Sequence, residues 1–182
     1  TKGNIISFSQ DLPVYATDNE IKNTFIYTKY KTLNVTNDMV GKASLYLSSV
    51  SSIDGSDVRI SKRGYIPYYR LGGFKKGKIG PKDGNDFIGG NYVSTLNFST
   101  NLPRLFSTME NLDFTYFVDI ANVWGVDYDS NIDESNKIRS STGIAIELIS
   151  PIGPLSFSFA QPITKKSTDQ TETFRFNLGT TF

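Results

Sequence analysis

Residues 59–91 read RISKRGYIPYYRLGGFKKGKIGPKDGNDFIGGN. This stretch is rich in glycine and in basic residues. Seven of the fifteen glycines lie between positions 72 and 90, and eight of the nineteen Lys and Arg residues lie between positions 59 and 82. A connection of this length is costly to order, so it is usually functional or disordered, and its tyrosines, isoleucines and prolines argue against disorder. The stretch therefore predicts a functional loop, and the alternating apolar and polar residues on both sides of it predict strands.

Phosphate binding is the first function to test for this loop. The sequence GGFKKGK at residues 72–78 resembles the first seven positions of a nucleotide-binding phosphate loop. That motif continues with Ser or Thr, which binds the metal ion, and with a helix that points its N-terminus at the phosphates. Here the chain continues with Ile79, Gly80 and Pro81, which supply no hydroxyl and stop a helix. We therefore interpret the segment as a basic loop whose glycines allow turns.

The composition of the 182 residues excludes several classes of function. The formal net charge of +1 gives no general attraction to nucleic acid, so no nucleic-acid partner is expected. The chain contains neither Cys nor His, and so it offers no thiol nucleophile, disulfide, histidine general base or Cys/His zinc cluster. Hydrolysis by paired carboxylates is the remaining enzymatic alternative, but nothing in the sequence positions such a pair. We expect no enzymatic activity, no cofactor and no metal.

Alternation of apolar and polar residues recurs along the chain and predicts eight antiparallel strands. Aromatic residues make up 13% of the sequence, which suits strands with one apolar and one polar face. Most of the runs are longer than the ~5–6 residues of soluble sandwich strands and match the ~9–11 residues with which a strand crosses a membrane. The runs lie at about residues 4–12, 21–33, 40–50, 92–102, 112–121, 139–148, 155–160 and 173–182.

The polar face of these strands carries charged residues, which need a wet or mutually paired interior. The connections also alternate between short turns and longer loops, as they do in outer-membrane barrels. Both features predict a transmembrane β-barrel with its short turns, and with Phe182, at the periplasmic end. The charged residues of the polar face are Asp113, Asp119, Arg139, Glu147 and Arg175.

Six short motifs, taken in order and with their spacing, resemble the bacterial surface antigen family of barrel-assembly insertases. The resemblance implies that residues 1–182 are the eight C-terminal strands of a 16-stranded barrel. It also implies that the first barrel half and the periplasmic POTRA domains precede this chain, because residues 1–3 are similar to the family's Pro-Thr-x-Gly turn. The motifs are Gly73-Phe74 followed by Ile79-Gly80-Pro81, then Gly89-Gly90-Asn91, FVDIANVW at 117–124, SPIGPL at 150–155, FSFAQP at 157–162 and FNLGTTF at 176–182.

The resemblance implies that the long loop folds into the barrel, with its tip at Gly72, Gly73 and Phe74 and with Ile79-Gly80-Pro81 behind the tip. In the family the first tip residue is Arg, which Gly72 replaces here. The triplet Arg63-Gly64-Tyr65 offers a second copy, but its distance from Ile79 is wrong.

The resemblance also assigns partners to the loop tip on the barrel wall. The family's Arg packs against two acidic residues, one of which corresponds to Asp119. The other corresponds to Asn97, where Glu is usual. Loss of the Arg together with one carboxylate is electrostatically consistent, because an unpaired charge in the barrel is costly. Arg70 or Lys75 is expected to serve as partner of Asp119 instead.

The ending Asn177-x-Gly179-x-x-Phe182 is similar to the signal that assembly machines recognise on outer-membrane barrels. The resemblance implies a location in the bacterial outer membrane. It further implies insertion of nascent β-barrel proteins as the function, with outer-membrane lipid and the lipoproteins of an assembly complex, bound through the POTRA domains, as further partners. Two alternatives remain: a translocation or two-partner secretion barrel of the same superfamily, and a small closed structural barrel of eight strands.

Overall fold

One antiparallel sheet of eight strands forms the frame of the molecule. The structure is a computed structural model that describes residues 2–13, 19–34, 38–102, 111–127, 136–150 and 153–178. The sheet follows the order of the chain, β1-β2-β3-β6-β7-β8-β9-β10, so each strand pairs with its neighbour in sequence. Its strands are β1 (Gly3–Asp11), β2 (Glu20–Asn34), β3 (Met39–Ser52), β6 (Tyr92–Asn101), β7 (Leu112–Trp124), β8 (Arg139–Ser150), β9 (Gly153–Thr164) and β10 (Phe174–Leu178).

The eight predicted strands and their antiparallel pairing are confirmed. The largest difference in bounds is at β9, which begins two residues earlier and ends four residues later than its alternating pattern. The reason is that Gly153 and Pro154 already pair with the end of β8, and pairing continues past Pro162 through a register shift at Ser140. A proline is tolerated at such an irregularity, where a ladder hydrogen bond is already missing.

The long loop contains structure that alternation could not predict. It includes a hairpin of β4 (Lys82–Asp83) and β5 (Asp86–Phe87), in which Gly84 has a φ of 58°. Two 3₁₀ turns, Ile60–Lys62 and Tyr68–Arg70, bend the chain before the tip. Within the described residues, the chain has no helix with the length and apolar character to cross a membrane.

The sheet has one apolar, exposed face and one largely polar face. Apolar side chains such as Phe98, Tyr116 and Phe159 point away on the exposed face. On the other face, which we call the inner face, the register aligns polar side chains in a row across the strands. Ser44 lies opposite Asn97, Asn97 opposite Asp119, and Asp119 opposite Ser141.

Residues 53–91, which we call the inner loop, cover this inner face. Their apolar side chains pack on the wall of the sheet and form the hydrophobic core of the molecule. The inner face is therefore buried by a loop, rather than by a second sheet or a layer of helices. The core contains Ile66, Leu71, Phe74 and Ile79 from the loop, and Tyr46, Val93, Ala121 and Val123 from the wall.

The two ends of the sheet are open edges. Among the described residues, β1 pairs only with β2, and β10 pairs only with β9. This open arrangement does not fit the alternative of a small closed barrel of eight strands, whose first and last strands would pair.

Candidate functional site: the inner loop and its wall

Two neighbouring wall residues hold the tip of the inner loop, Gly72–Phe74, through its backbone. Asp119 accepts a hydrogen bond of 2.9 Å from the backbone N–H of Gly72. Asn97, directly opposite Asp119 in the register, donates to the Arg70 carbonyl at 2.7 Å and to the Asp119 carboxylate at 2.8 Å. The structure thus brings together Gly72, Asn97 and Asp119, three of the predicted site residues.

Close packing leaves no space for a side chain at Gly72. A Cβ atom at this position would lie 2.8 Å from Phe117 Cε2 and 2.9 Å from Ala160 Cβ. The next residue, Gly73, has a φ of 78°, which is strained for any residue with a side chain. The backbone can therefore approach the wall closely only because both positions are glycine.

The other predicted tip residues anchor the loop by burial. Phe74 is only 2% exposed and belongs to the core, as does Ile79. Pro81 is also fully buried, and Gly80, with a φ of 105°, packs against Val123. These residues lie on the wall behind the tip, where they fix the path of the loop.

Arg70 contacts the neighbours of Asp119. Its Nη1 atom lies 3.3 Å from Ser44 Oγ and 3.4 Å from Asn97 Oδ1, and its guanidinium group lies over the Tyr46 ring at 4.8 Å. The positive charge is thus placed beside the polar row of the wall. Lys75, the other expected substitute, has an exposed side chain, and its backbone N–H binds the Gln170 carbonyl at 2.9 Å.

The triplet Arg63-Gly64-Tyr65 lies at another part of the loop. Gly64 forms a two-way backbone bridge with Gly90, and Arg63 Nε donates to the Val58 carbonyl at 3.1 Å. These contacts stabilise the base of the inner loop and do not involve Asp119.

The connection between β9 and β10 pairs with the tip, a contact that sequence reasoning missed. Phe74 and Thr171 form an antiparallel bridge, and the Glu172 N–H donates to the Gly73 carbonyl at 3.0 Å. Gln170 adds a hydrogen bond of 3.1 Å from its N–H to the Lys78 carbonyl. The tip is therefore held between the wall on one side and residues 170–172 on the other.

Arg175 of β10 is a second feature that the sequence did not assign. It donates to the carbonyl oxygens of Tyr68, Leu71 and Phe74, and its Nε lies 3.0 Å from Glu172 Oε2. In the alternation of β10, Arg175 falls on the polar side of the strand. This position predicts from the sequence that its side chain faces inward. Its partners are about a hundred positions away, so no local pattern could name them.

The rim of the molecule, where β8 begins, contains a buried ion pair. Arg139 binds both carboxylate oxygens of Asp169 at 3.0 Å, and both side chains are 0% exposed. Asp169 also accepts a hydrogen bond of 2.6 Å from the Lys166 N–H. This pair fixes the β9–β10 connection, which in turn contacts the tip.

Two more carboxylates lie at the rim near the start of the inner loop. Glu20 binds Arg59 through two hydrogen bonds of 2.6 and 2.7 Å, and the Arg59 side chain is 46% exposed. Asp54 is fully exposed. The hydroxyl group of Ser52 donates a hydrogen bond to its carboxylate, and Ser56 donates as well. These hydrogen bonds hold the pKa of the Asp54 carboxyl below its usual value. These contacts fasten the loop to β2 and β3.

Among the described residues, no cluster of three or more His, Cys, Asp or Glu side chains could hold a metal ion.

Of the predicted C-terminal signal, Asn177 accepts a hydrogen bond of 3.0 Å from the Tyr68 hydroxyl. Gly179 and Phe182 lie outside the described residues.

Comparisons with known proteins agree on the family. The model of the Omp85 superfamily domain matches residues 1–182. The crystal structure of BamA from Haemophilus ducreyi lacking POTRA domains 1–3 matches with a TM-score of 0.81 and 29% identity, over 97% of this chain and 37% of that chain.

Two curated relatives are similar in sequence, and both are named outer membrane protein assembly factor BamA. The protein of Neisseria meningitidis serogroup B is 29% identical over 137 residues, which cover 60% of this chain and 17% of the relative. The protein of Neorickettsia risticii is 25% identical over 137 residues, covering 74% of this chain and 18% of the relative. The chain thus spans less than a fifth of the length of these relatives. It belongs to the Omp85 superfamily, and its location is the outer membrane of a Gram-negative bacterium.

Proposed function

We propose that this protein takes part in the assembly of outer-membrane proteins by inserting nascent β-barrel chains into the membrane. One observation carries the proposal. An open sheet, whose inner face is covered by a long loop anchored at Asp119, matches the BamA barrel over 97% of the chain. The names of the two curated relatives, both assembly factors, support the same function.

The proposed mechanism is physical rather than covalent. In lipid, a strand edge must find partners for its N–H and C=O groups, and an incoming strand can supply them by adding to that edge. β10 offers such an edge, because among the described residues it pairs only with β9. Gly179, which follows β10, is expected to weaken and bend this strand and so to favour a lateral seam. A short apolar band near the seam would thin the bilayer and lower the barrier to insertion.

The inner loop is proposed to stabilise the sheet that carries this edge. Asp119 and Asn97 hold the loop tip through backbone contacts, while Phe74, Ile79 and Pro81 anchor it by burial. The proposed partners are nascent barrel proteins, outer-membrane lipid and the lipoproteins of an assembly complex that bind through POTRA domains. Asn177, Gly179 and Phe182 are the proposed signal by which the protein's own strand is recognised.

Depletion of the full-length protein in its native bacterium tests the proposal. We expect the folded amounts of several unrelated outer-membrane barrels to fall together, while an outer-membrane lipoprotein without a barrel keeps its level. Complementation with the Asp119→Ala variant should restore less barrel assembly than a matched Asp113→Ala variant, because Asp113, on the same face of β7, is exposed and lies opposite Glu147 in the register. Unchanged barrels together with loss of one secreted product would overturn the proposal and favour a translocation barrel.

A further inference from the structure

Arg175 binds the inner loop at three points. It lies on the inner face of β10, and its side chain is only 12% exposed. Its guanidinium group donates to the carbonyl oxygens of Tyr68, Leu71 and Phe74, which surround the turn that leads to the tip. One strand residue thus binds three backbone acceptors, spaced three positions apart, of a loop that is about a hundred positions away.

The chemistry of this contact is specific to arginine. A guanidinium group carries five N–H donors in a rigid, planar fork and remains charged in proteins. Buried carbonyl groups that lack a donor are costly, so the turn needs a partner that reaches all three. The N–H of Gly72, which lies within this turn, is already bound by Asp119.

Two further contacts join the same elements. The Tyr68 hydroxyl donates to Asn177 of β10, and residues 170–172 pair with the tip just before β10 begins. β10 has five described residues and one paired neighbour, so the loop is its second support. The loop and the last described strand are therefore connected both along the strand and at its start.

We infer that Arg175 is a positioning residue that fixes the inner loop and β10 in place relative to each other. The functional consequence rests on the proposed function. The loop, through Arg175, holds in position the strand edge that β10 offers to an incoming strand. The ion pair with Glu172 is secondary, because Glu172 is 40% exposed and exposed pairs of this kind contribute little.

A disulfide reporter in the full-length protein, in its own outer membrane, tests this inference. Lys75 and Gln170 are exposed and are joined by a backbone hydrogen bond of 2.9 Å next to the Phe74–Thr171 bridge, so we choose Lys75→Cys with Gln170→Cys as the reporter pair. Residues 1–182 contain no other cysteine. A control pair, Gln10→Cys with Asn23→Cys, lies opposite in β1 and β2, away from Arg175.

We expect Arg175→Gln to lower the rate of disulfide formation between positions 75 and 170 by about tenfold, because charge-assisted hydrogen bonds to the loop are lost. The control pair should react as before. Arg175→Lys should give an intermediate rate, since an ammonium group cannot reach three carbonyls at once. Asp113→Asn, at an exposed position of β7, should leave the rate unchanged. If Arg175→Gln does not accumulate, Arg175→Lys against Asp113→Asn gives the same comparison.

Two results would overturn the inference. In one, the 75–170 pair reacts equally fast with and without Arg175. In the other, both pairs slow down equally, which would mean that Arg175 supports the whole barrel rather than the loop contact. The rate does not depend on any client, so a failure of the proposed function is seen separately, as normal barrel assembly after depletion. If both the inference and the proposed function are correct, Arg175→Gln also lowers the amount of assembled client barrels, whereas Asp113→Asn does not.

Discussion

The tip of the inner loop and the rim of the molecule are held in different ways. At the tip, side chains of the wall and of β10 bind backbone groups of the loop, as in the contacts of Asp119 with the Gly72 N–H and of Asn97 with the Arg70 carbonyl. At the rim, side chains bind side chains, as in the pairs Arg139–Asp169 and Arg59–Glu20.

This difference explains which changes each region tolerates. A contact to the backbone does not depend on the identity of the loop residue, so Gly72 can stand at a position where the resemblance leads one to expect a charged side chain. What the tip does require is space, because its backbone lies against Phe117 and Ala160. A contact between side chains, in contrast, is lost as soon as one partner changes, and its value depends on burial.

Breaking the buried pair at the rim should have the largest effect. Arg139→Met leaves the Asp169 carboxylate at 0% exposure without its cation, which costs about 3–5 kcal/mol of folding free energy. Urea unfolding of the barrel in detergent should show a lower midpoint with an unchanged slope. The double variant Arg139→Met with Asp169→Leu should regain part of the loss, since replacing both charges removes the buried, unpaired carboxylate. A double variant as unstable as the sum of the single changes would contradict this explanation.

Adding one methyl group at the tip should have an intermediate effect. In Gly72→Ala the new Cβ overlaps Phe117 and Ala160, and overpacking of this kind costs about 1–3 kcal/mol. Gly3→Ala is the matched control, because a Cβ at Gly3 in β1 has no atom within 4 Å. The measurement is the urea midpoint together with the protease sensitivity of the inner loop. Gly72→Arg should lower the urea midpoint further than Gly72→Ala. If Gly72→Arg instead raised the midpoint, the tip would have more space than the contacts with Phe117 and Ala160 allow.

The strands and their faces could be predicted from the sequence because alternation is local. Phe114, Tyr116 and Val118 mark one face of β7, and Asp119 falls on the other by position alone. The register of β6 with β7, which places Asn97 opposite Asp119, does not follow from alternation, and only the resemblance names the two residues together. The contact of this pair with the tip could be anticipated only through the resemblance to a family.

The remaining contacts could not be predicted because they join distant segments without a repeating pattern. The bridge between Phe74 and Thr171 and the fork of Arg175 depend on how far the loop folds inward. Likewise, Arg139 looks like one more inner-face charge in the sequence, and only the position of Asp169 makes it the most buried pair among the described ion pairs. Periodicity fixes the direction of a side chain, whereas its partner is fixed by tertiary packing.

The smallest effect is expected at the second rim pair, which isolates the role of burial. Arg59 binds Glu20 with two hydrogen bonds, as Arg139 binds Asp169, but only the Glu20 side chain is buried, at 6% exposure, whereas the Arg59 side chain is 46% exposed. Arg59→Gln should therefore lower the stability by only about 0.2–1 kcal/mol. The loss should shrink further in 1 M salt, where the screening length is ~3 Å, while the loss in Arg139→Met should persist because a buried pair is screened much less. Urea midpoints of both variants at low and high salt make the comparison. Equal losses that respond equally to salt would mean that the number of hydrogen bonds, and not burial, decides what a rim pair contributes.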